Sequence, residues 1–121
     1  RYQHVSLEPA SARLHELPME IRSYAPGKVI LELSMSMTKD GKSQCAEIAR
    51  GDYDAHLDAI ADALLLFDGA PVFIRPGYEF NGFWNGYPAA DYVPAWKHVR
   101  QRILKKGVRN LAWVWCWIPE T

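Results

Sequence analysis

Short unbroken apolar runs, each ending in a polar cluster, alternate with longer stretches whose apolar residues recur at helical spacing. This alternation constrains the chain more than any other feature of its 121 residues. It is the pattern of βα units, in which helices join parallel strands and cover the sheet they form. Tyr2–Glu8 reads as a weak first strand, Val29–Met37 as a second, Pro71–Glu79 as a third and Asn110–Ile118 as the last. Between them, Ser11 caps a helix running to about Tyr24 that Pro26-Gly27 ends. Gly51-Asp52 opens a second helix, with Tyr53, Leu57, Ile60, Ala61 and Leu64 at helical spacing and Gly69 and Pro71 as its stop. Asp91 caps a third carrying Tyr92, Trp96, Val99 and Ile103, which Gly107 terminates. The order is β-α-β-α-β-α-β in one domain spanning 1–121, without linker or repeat. Right-handed crossovers make its strands neighbours in one parallel sheet.

Strand parity assigns the faces. In the second strand, Ile30, Glu32, Ser34 and Ser36 share one face while Leu31, Leu33 and Met35 share the other. In the third, Phe73, Arg75, Gly77 and Glu79 share a face if the strand is regular to its end, although Pro76 predicts an irregular tip. Arg75 can then meet Glu32 across neighbouring strands, a pairing that permits a buried guanidinium. In the last strand, Trp113, Trp115 and Trp117 oppose Ala112, Val114 and Cys116, and parity leaves open which set faces the helices.

With 49% hydrophobic and 23% charged residues, the composition is that of a globular chain with its own core. Its formal charges cancel, so no basic field favours nucleic acid or an anionic membrane. No apolar run approaches the length of a membrane span, and Leu64–Phe67 sits in a helical pattern interrupted by Asp58, Asp62 and Asp68. Cys45 and Cys116 read as free buried thiols rather than a disulfide framework. His4, His15, His56 and His98 are scattered over different elements, so no metal site and no cofactor are expected.

The run Val72–Tyr87, VFIRPGYEFNGFWNGY, carries the chemistry. It places one carboxylate, Glu79, at a strand end among Tyr78, Phe80, Phe83, Trp84 and Tyr87. Apolar walls of that kind favour the neutral acid, as a general acid requires. Tyr78, Trp84, Tyr87 and Trp117 offer faces on which sugar rings stack, and the Asn81 amide suits a hydroxyl, so the predicted substrate-binding set is Tyr78, Asn81, Trp84, Tyr87 and Trp117.

This run resembles the motif of glycoside hydrolase family 26, in which an Arg-containing fourth barrel strand ends in His-Glu-Met-Asn-Gly before an aromatic loop. Arg75, Glu79, Asn81, Gly82 and Trp84 match it. GDYDAHLDAIADAL (Gly51–Leu64), DYVPAWKHV (Asp91–Val99) and NLAWVWCWIPE (Asn110–Glu120) extend the likeness over roughly the last two thirds of the chain. Tyr78 stands where the family usually has His and Phe80 where it has Met. The loop Phe83–Tyr87 departs from the usual Trp-Tyr-Pro-Trp, and Cys116–Glu120 replaces a Ser-Pro-Asn ending.

The resemblance implies a retaining endo-β-glycanase, mannanase-like, acting on β-linked polysaccharide from a (β/α)8 barrel, secreted or periplasmic. Its relatives also include hydrolases of β-1,3-xylan and mixed-linkage β-glucan. A complete barrel needs about 250 residues, so the chain is an α/β piece resembling strands two to five of one, an incomplete barrel. Glu79 becomes the acid/base, and the nucleophile, carried on strand seven in the family, lies outside this chain. Of the carboxylates present, Glu32 sits too early in its strand, Glu47 and Asp91 belong to helical or capping positions, and Glu120 adjoins the terminus. Two other readings fit the same residues: a non-catalytic saccharide-binding module, and a half-barrel that self-associates through open sheet edges.

Overall fold

The computed structural model describes residues 2–5, 30–66 and 71–119. The helix expected from Ser11 to about Tyr24, its stop at Pro26-Gly27, and Gly69, Asp68 and Glu120 lie outside the described residues. In chain order the elements are β1 (Tyr2–Val5), β2 (Leu31–Met35), β3 (Thr38–Lys39), β4 (Lys42–Ser43), α1 (Cys45–Arg50), α2 (Asp54–Leu65), β5 (Val72–Pro76), α3 (Ala89–Lys105) and β6 (Leu111–Trp113). The architecture is mixed α/β. Its main sheet has the order β1-β2-β5-β6 and every pairing in it is parallel.

Period two is kept through the centre of the sheet. Leu31, Leu33, Met35, Val72 and Ile74 point into the core, where Leu57, Ile60, Ala61 and Leu64 of α2 and Tyr92, Ala95, Val99 and Ile103 of α3 meet them. Glu32, Ser34, Phe73 and Arg75 occupy the opposite face, which no described helix covers. The predicted pair forms there, with Arg75 Nε 3.0 Å from Glu32 Oε1. Ser34, directly opposite Arg75 in the register, is fully buried and accepts two guanidinium N–H bonds at 3.1 and 2.6 Å. Those bonds supply what a buried hydroxyl needs.

The question parity left open is settled by packing. Trp113 meets the Trp96 ring of α3 edge-on at 6.0 Å, and Trp115 contacts Trp96, Phe80 and Tyr92 at 5.3, 4.8 and 5.1 Å. The Trp face therefore lies against the helix, and Cys116 looks the other way, 3.6 Å from Arg75 Nη1. The Trp96 indole N–H is buried with no hydrogen-bond partner among the described residues. Both cysteines are free, as expected; Cys45 is buried, whereas Cys116 is only half-buried. Burial pushes the Cys45 thiol above its ordinary range.

Several boundaries differ from the sequence reading. Gly51, expected to open a helix, instead closes the short α1, where φ +95° gives a left-handed cap bonded to Glu47 and Ile48. The long helix begins only at Asp54. Asp91 is not the cap of α3: Pro88 holds that position, and Asp91 lies in the first turn, where a carboxylate still favours the helix dipole. Gly107 does terminate the segment, at φ +96°. After β2, Thr38–Ser43 forms a hairpin, with positive φ at both Asp40 and Gly41 as a two-residue Asp-Gly turn requires.

On their outer surface α2 and α3 are joined by a ladder of acidic and basic side chains with matched spacing. Asp54 contacts His98 at 2.6 Å, Asp58 receives Arg102 at 2.7 and 2.8 Å, and Asp62 meets Lys106 at 3.1 Å. Residues four apart share a helix face, so the three acids of α2 align with His98 and Arg102 of α3 and with Lys106 at its C-terminal cap. Arg102 holds the Asp58 carboxyl below the usual carboxylate range.

Candidate active site

β5 was expected to run to Glu79 but ends at Pro76. In this strand Ile74 and Pro76 face β6. Val114 donates to Ile74 O at 2.8 Å, and the next ladder bond would need the N–H that proline lacks. Pairing stops there, so β6 ends at Trp113 instead of continuing to Ile118. The Pro76 carbonyl is satisfied by the Tyr92 hydroxyl at 3.1 Å. Gly77 then turns the chain at φ +59°, while its N–H still reaches Met35 O at 2.8 Å. A Cβ at this position would lie 2.6 Å from Tyr92 Cε2 and 3.1 Å from Met37 Sδ, so only glycine fits.

This turn decides where Glu79 goes. It is not the regular-strand neighbour of Arg75: it takes φ +54°, a left-handed conformation that side chains rarely adopt. Three donors hold it. The Gly82 N–H and the Asn85 Nδ2 amide both reach the Glu79 carbonyl at 2.9 Å, and the Trp84 indole N–H reaches carboxylate Oε2 at 3.0 Å. Asn85, almost fully buried, also donates to Tyr78 O at 3.0 Å. Strain of this kind persists only where surrounding bonds over-determine it, and it gathers at functional sites.

The apolar enclosure expected around Glu79 is not formed. Phe80 turns toward the helix layer, stacking on Tyr92 at 4.8 Å, and Tyr87 stacks on the other side of Tyr92 at 5.7 Å. Of the five aromatics that were to wall the carboxyl, Phe80 and Tyr87 pack on the core and Phe83 is 91% exposed. Glu79 is left half-buried, with Trp84 beside it. The Tyr87 hydroxyl accepts the Met37 N–H at 3.0 Å, and burial raises its pKa to about 12.

The other predicted site residues divide. Tyr78 lies under the Arg75 guanidinium, 5.8 Å from charge to ring centre. Trp84 and Trp117 are exposed over about half their surfaces, at 52% and 57%. Asn81 spends one donor on Ile118 O at 2.7 Å and accepts the Ile118 N–H at 2.8 Å, so its amide ties the motif loop to the chain beyond β6. Phe80 N–H adds a bond to Cys116 O at 3.2 Å. An apolar cavity of about 320 Å³ opens between the loop and the start of α3, lined by Phe80, Phe83, Tyr87, Tyr92 and Trp115, and Glu79 is not among its walls. Asn85, Ser34 and Gly77 were not singled out from sequence. The Asn85-Gly86 pair signals a turn, but nothing local told that its amide would clamp Glu79.

Known proteins resemble this stretch. The chain is 36% identical over 84 residues to beta-1,3-xylanase TXYA of a Vibrio species, and 31% identical over 93 residues to a beta-1,3-xylanase of an Alcaligenes species. The matches cover 69% and 76% of this chain but only 18% of each relative, so the chain spans about a fifth of their length. No protein-family model matches it. The likeness is to glycoside hydrolases, which fits a polysaccharide partner. Neither relative is named for mannan, so the mannanase-like expectation gains no support.

Proposed function

We propose that this chain is part of a retaining endo-β-glycanase of the family 26 kind, acting on β-1,3-linked xylan, with Glu79 as acid/base. The observation that carries the reading is the placement of Glu79: just past the carboxyl end of a parallel strand, in a strained conformation held by three donors, within a run that matches the family motif. The carboxyl ends of parallel strands are where α/β barrels build their active sites. On this reading β1, β2, β5 and β6 are strands two to five of a (β/α)8 barrel, and the face bearing Glu32, Ser34, Phe73 and Arg75 lines its lumen. Similarity to the two β-1,3-xylanases favours xylan over the mannan first expected.

Retaining hydrolysis needs a second carboxylate about 5–5.5 Å from the first, one attacking the anomeric carbon while the other protonates the leaving oxygen. That nucleophile belongs to the rest of a longer protein, so the 121 residues alone are expected to be inactive. In the longer protein, Glu79→Gln should lower turnover of β-1,3-xylan by about 10²–10⁴-fold while polysaccharide binding survives, because only the proton donor is removed. A reducing-sugar assay beside a binding isotherm checks it. Unchanged hydrolysis would remove Glu79 from the mechanism, and hydrolysis of β-mannan in preference to β-1,3-xylan would restore the first substrate assignment.

A further inference from the structure

We propose that Trp84 is a positioning residue for Glu79, its indole N–H holding carboxylate Oε2 so that Oε1 is the oxygen left to exchange a proton with the substrate. The proposal rests on the reading of Glu79 as acid/base. A glutamate side chain has three rotatable bonds, and one on an exposed loop samples many positions unless something holds it. Here the backbone is held by Gly82 and Asn85 through the Glu79 carbonyl, and the carboxyl is held by Trp84 at 3.0 Å. All three donors come from the loop that follows, so residues 79–85 close on the residue that begins them.

Gly82 makes the third bond possible. A Cβ there would lie 2.5 Å from both Cε2 and Cζ2 of the Trp84 ring. The indole thus lies against bare backbone, with Phe83 meeting it edge-on at 5.0 Å. A Trp with half its surface exposed has water available for its N–H. That the N–H is directed at Glu79 follows from this seat. With Oε2 occupied by an N–H that cannot accept a proton, both transfers run through Oε1: Oε1–H breaks as the proton passes to the leaving glycosidic oxygen, and Oε1 later takes a proton from the incoming water. Proximity of this kind is steep, since a misplacement of about 1 Å can cost about a hundredfold in rate.

Two measurements on the longer protein test it. With ¹⁵N placed only in tryptophan, the Trp84 indole resonance, identified by its loss in Trp84→Phe, should move as Glu79 takes up its proton, and that movement should vanish in Glu79→Gln. A resonance that stays still, or moves equally in Glu79→Gln, overturns the hydrogen bond. In kinetics, Trp84→Phe keeps an aromatic face but no N–H, and Gly82→Ala displaces the ring. Both should lower kcat by about tenfold to a hundredfold with KM changed less than about twofold. A Trp84 that only stacks on sugar would instead leave kcat unchanged in Trp84→Phe and raise KM in Gly82→Ala, which defeats the proposal. If Glu79→Gln abolishes turnover while Trp84→Phe does not affect it, positioning fails and the acid/base reading stands. If Glu79→Gln retains full turnover, the acid/base reading itself fails.

Discussion

The two faces of the sheet are built by the same strands under different rules. On the helix side Leu31, Leu33, Met35, Val72 and Ile74 are between 0 and 4% exposed, and each contributes by leaving water. On the other side Glu32, Ser34 and Arg75 form a polar network, and Phe73 keeps 43% of its surface exposed. Stability is concentrated on the covered face. The open face holds groups whose value is directional: a guanidinium bonded at once to a carboxylate, a hydroxyl and, more weakly, a thiol. The motif loop inherits this division at Gly77, beyond which Phe80 and Tyr87 pack toward the covered side and Glu79 does not.

The comparison is broken most sharply by truncating one large side chain on each face. Leu33→Ala, at a position with no exposure, should cost about 2–5 kcal/mol, and Phe73→Ala about 1 kcal/mol or less. Urea unfolding of the two variants measures the difference. Equal costs would mean that Phe73 is packed against something beyond the described residues, as a barrel lumen would require.

A smaller effect is expected at the hinge between the faces. Gly77→Ala places a methyl 2.6 Å from the buried Tyr92 ring at a positive φ, and should cost about 1–3 kcal/mol in the same assay. Gly86→Ala, also at positive φ but with open space around its Cβ, should cost less. A reversed order would remove the steric argument for Gly77.

The smallest effect concerns the charge ladder outside the covered face. The Asp58 carboxyl is held below its ordinary range by Arg102, so its proton affinity is lower folded than unfolded. Such a group adds stability above the ordinary carboxylate range and loses it as pH falls through the folded value. Unfolding midpoints at about pH 7 and pH 3 should therefore fall further apart for the wild type than for Asp58→Asn. Phe73 and Arg75, on the far face, should not alter that difference.

Much of the covered face was legible because burial imposes a period. Apolar residues at every second position gave β2 and β5, and spacing of three and four gave the core faces of α2 and α3. The Glu32–Arg75 pair was legible for the same reason, since two charges placed on one face of adjacent parallel strands have few other partners. The site was legible only as a composition. Its motif identified Glu79, Asn81, Gly82 and Trp84 as a group, and Pro76 signalled the irregular tip, but strand parity gave no position for the carboxyl beyond that break, and of the aromatics expected around it Phe80 and Tyr87 face the core.

What the sequence by itself determined is therefore the alternation of strands and helices, the apolar face of each, and the short list of groups able to do chemistry. These follow from periodicities that each segment carries alone. Only the tertiary structure decided that the Trp face of β6 meets Trp96, that Asn81 is tied to Ile118, and that Glu79 is held at φ +54° by Gly82, Trp84 and Asn85. Each of those depends on which donor finds which acceptor once proline has ended the ladder at Pro76. The first two are fixed by contacts between segments far apart in the chain, and the third, though made within residues 79–85, depends on the turn that Gly77 makes against Tyr92 and Met37.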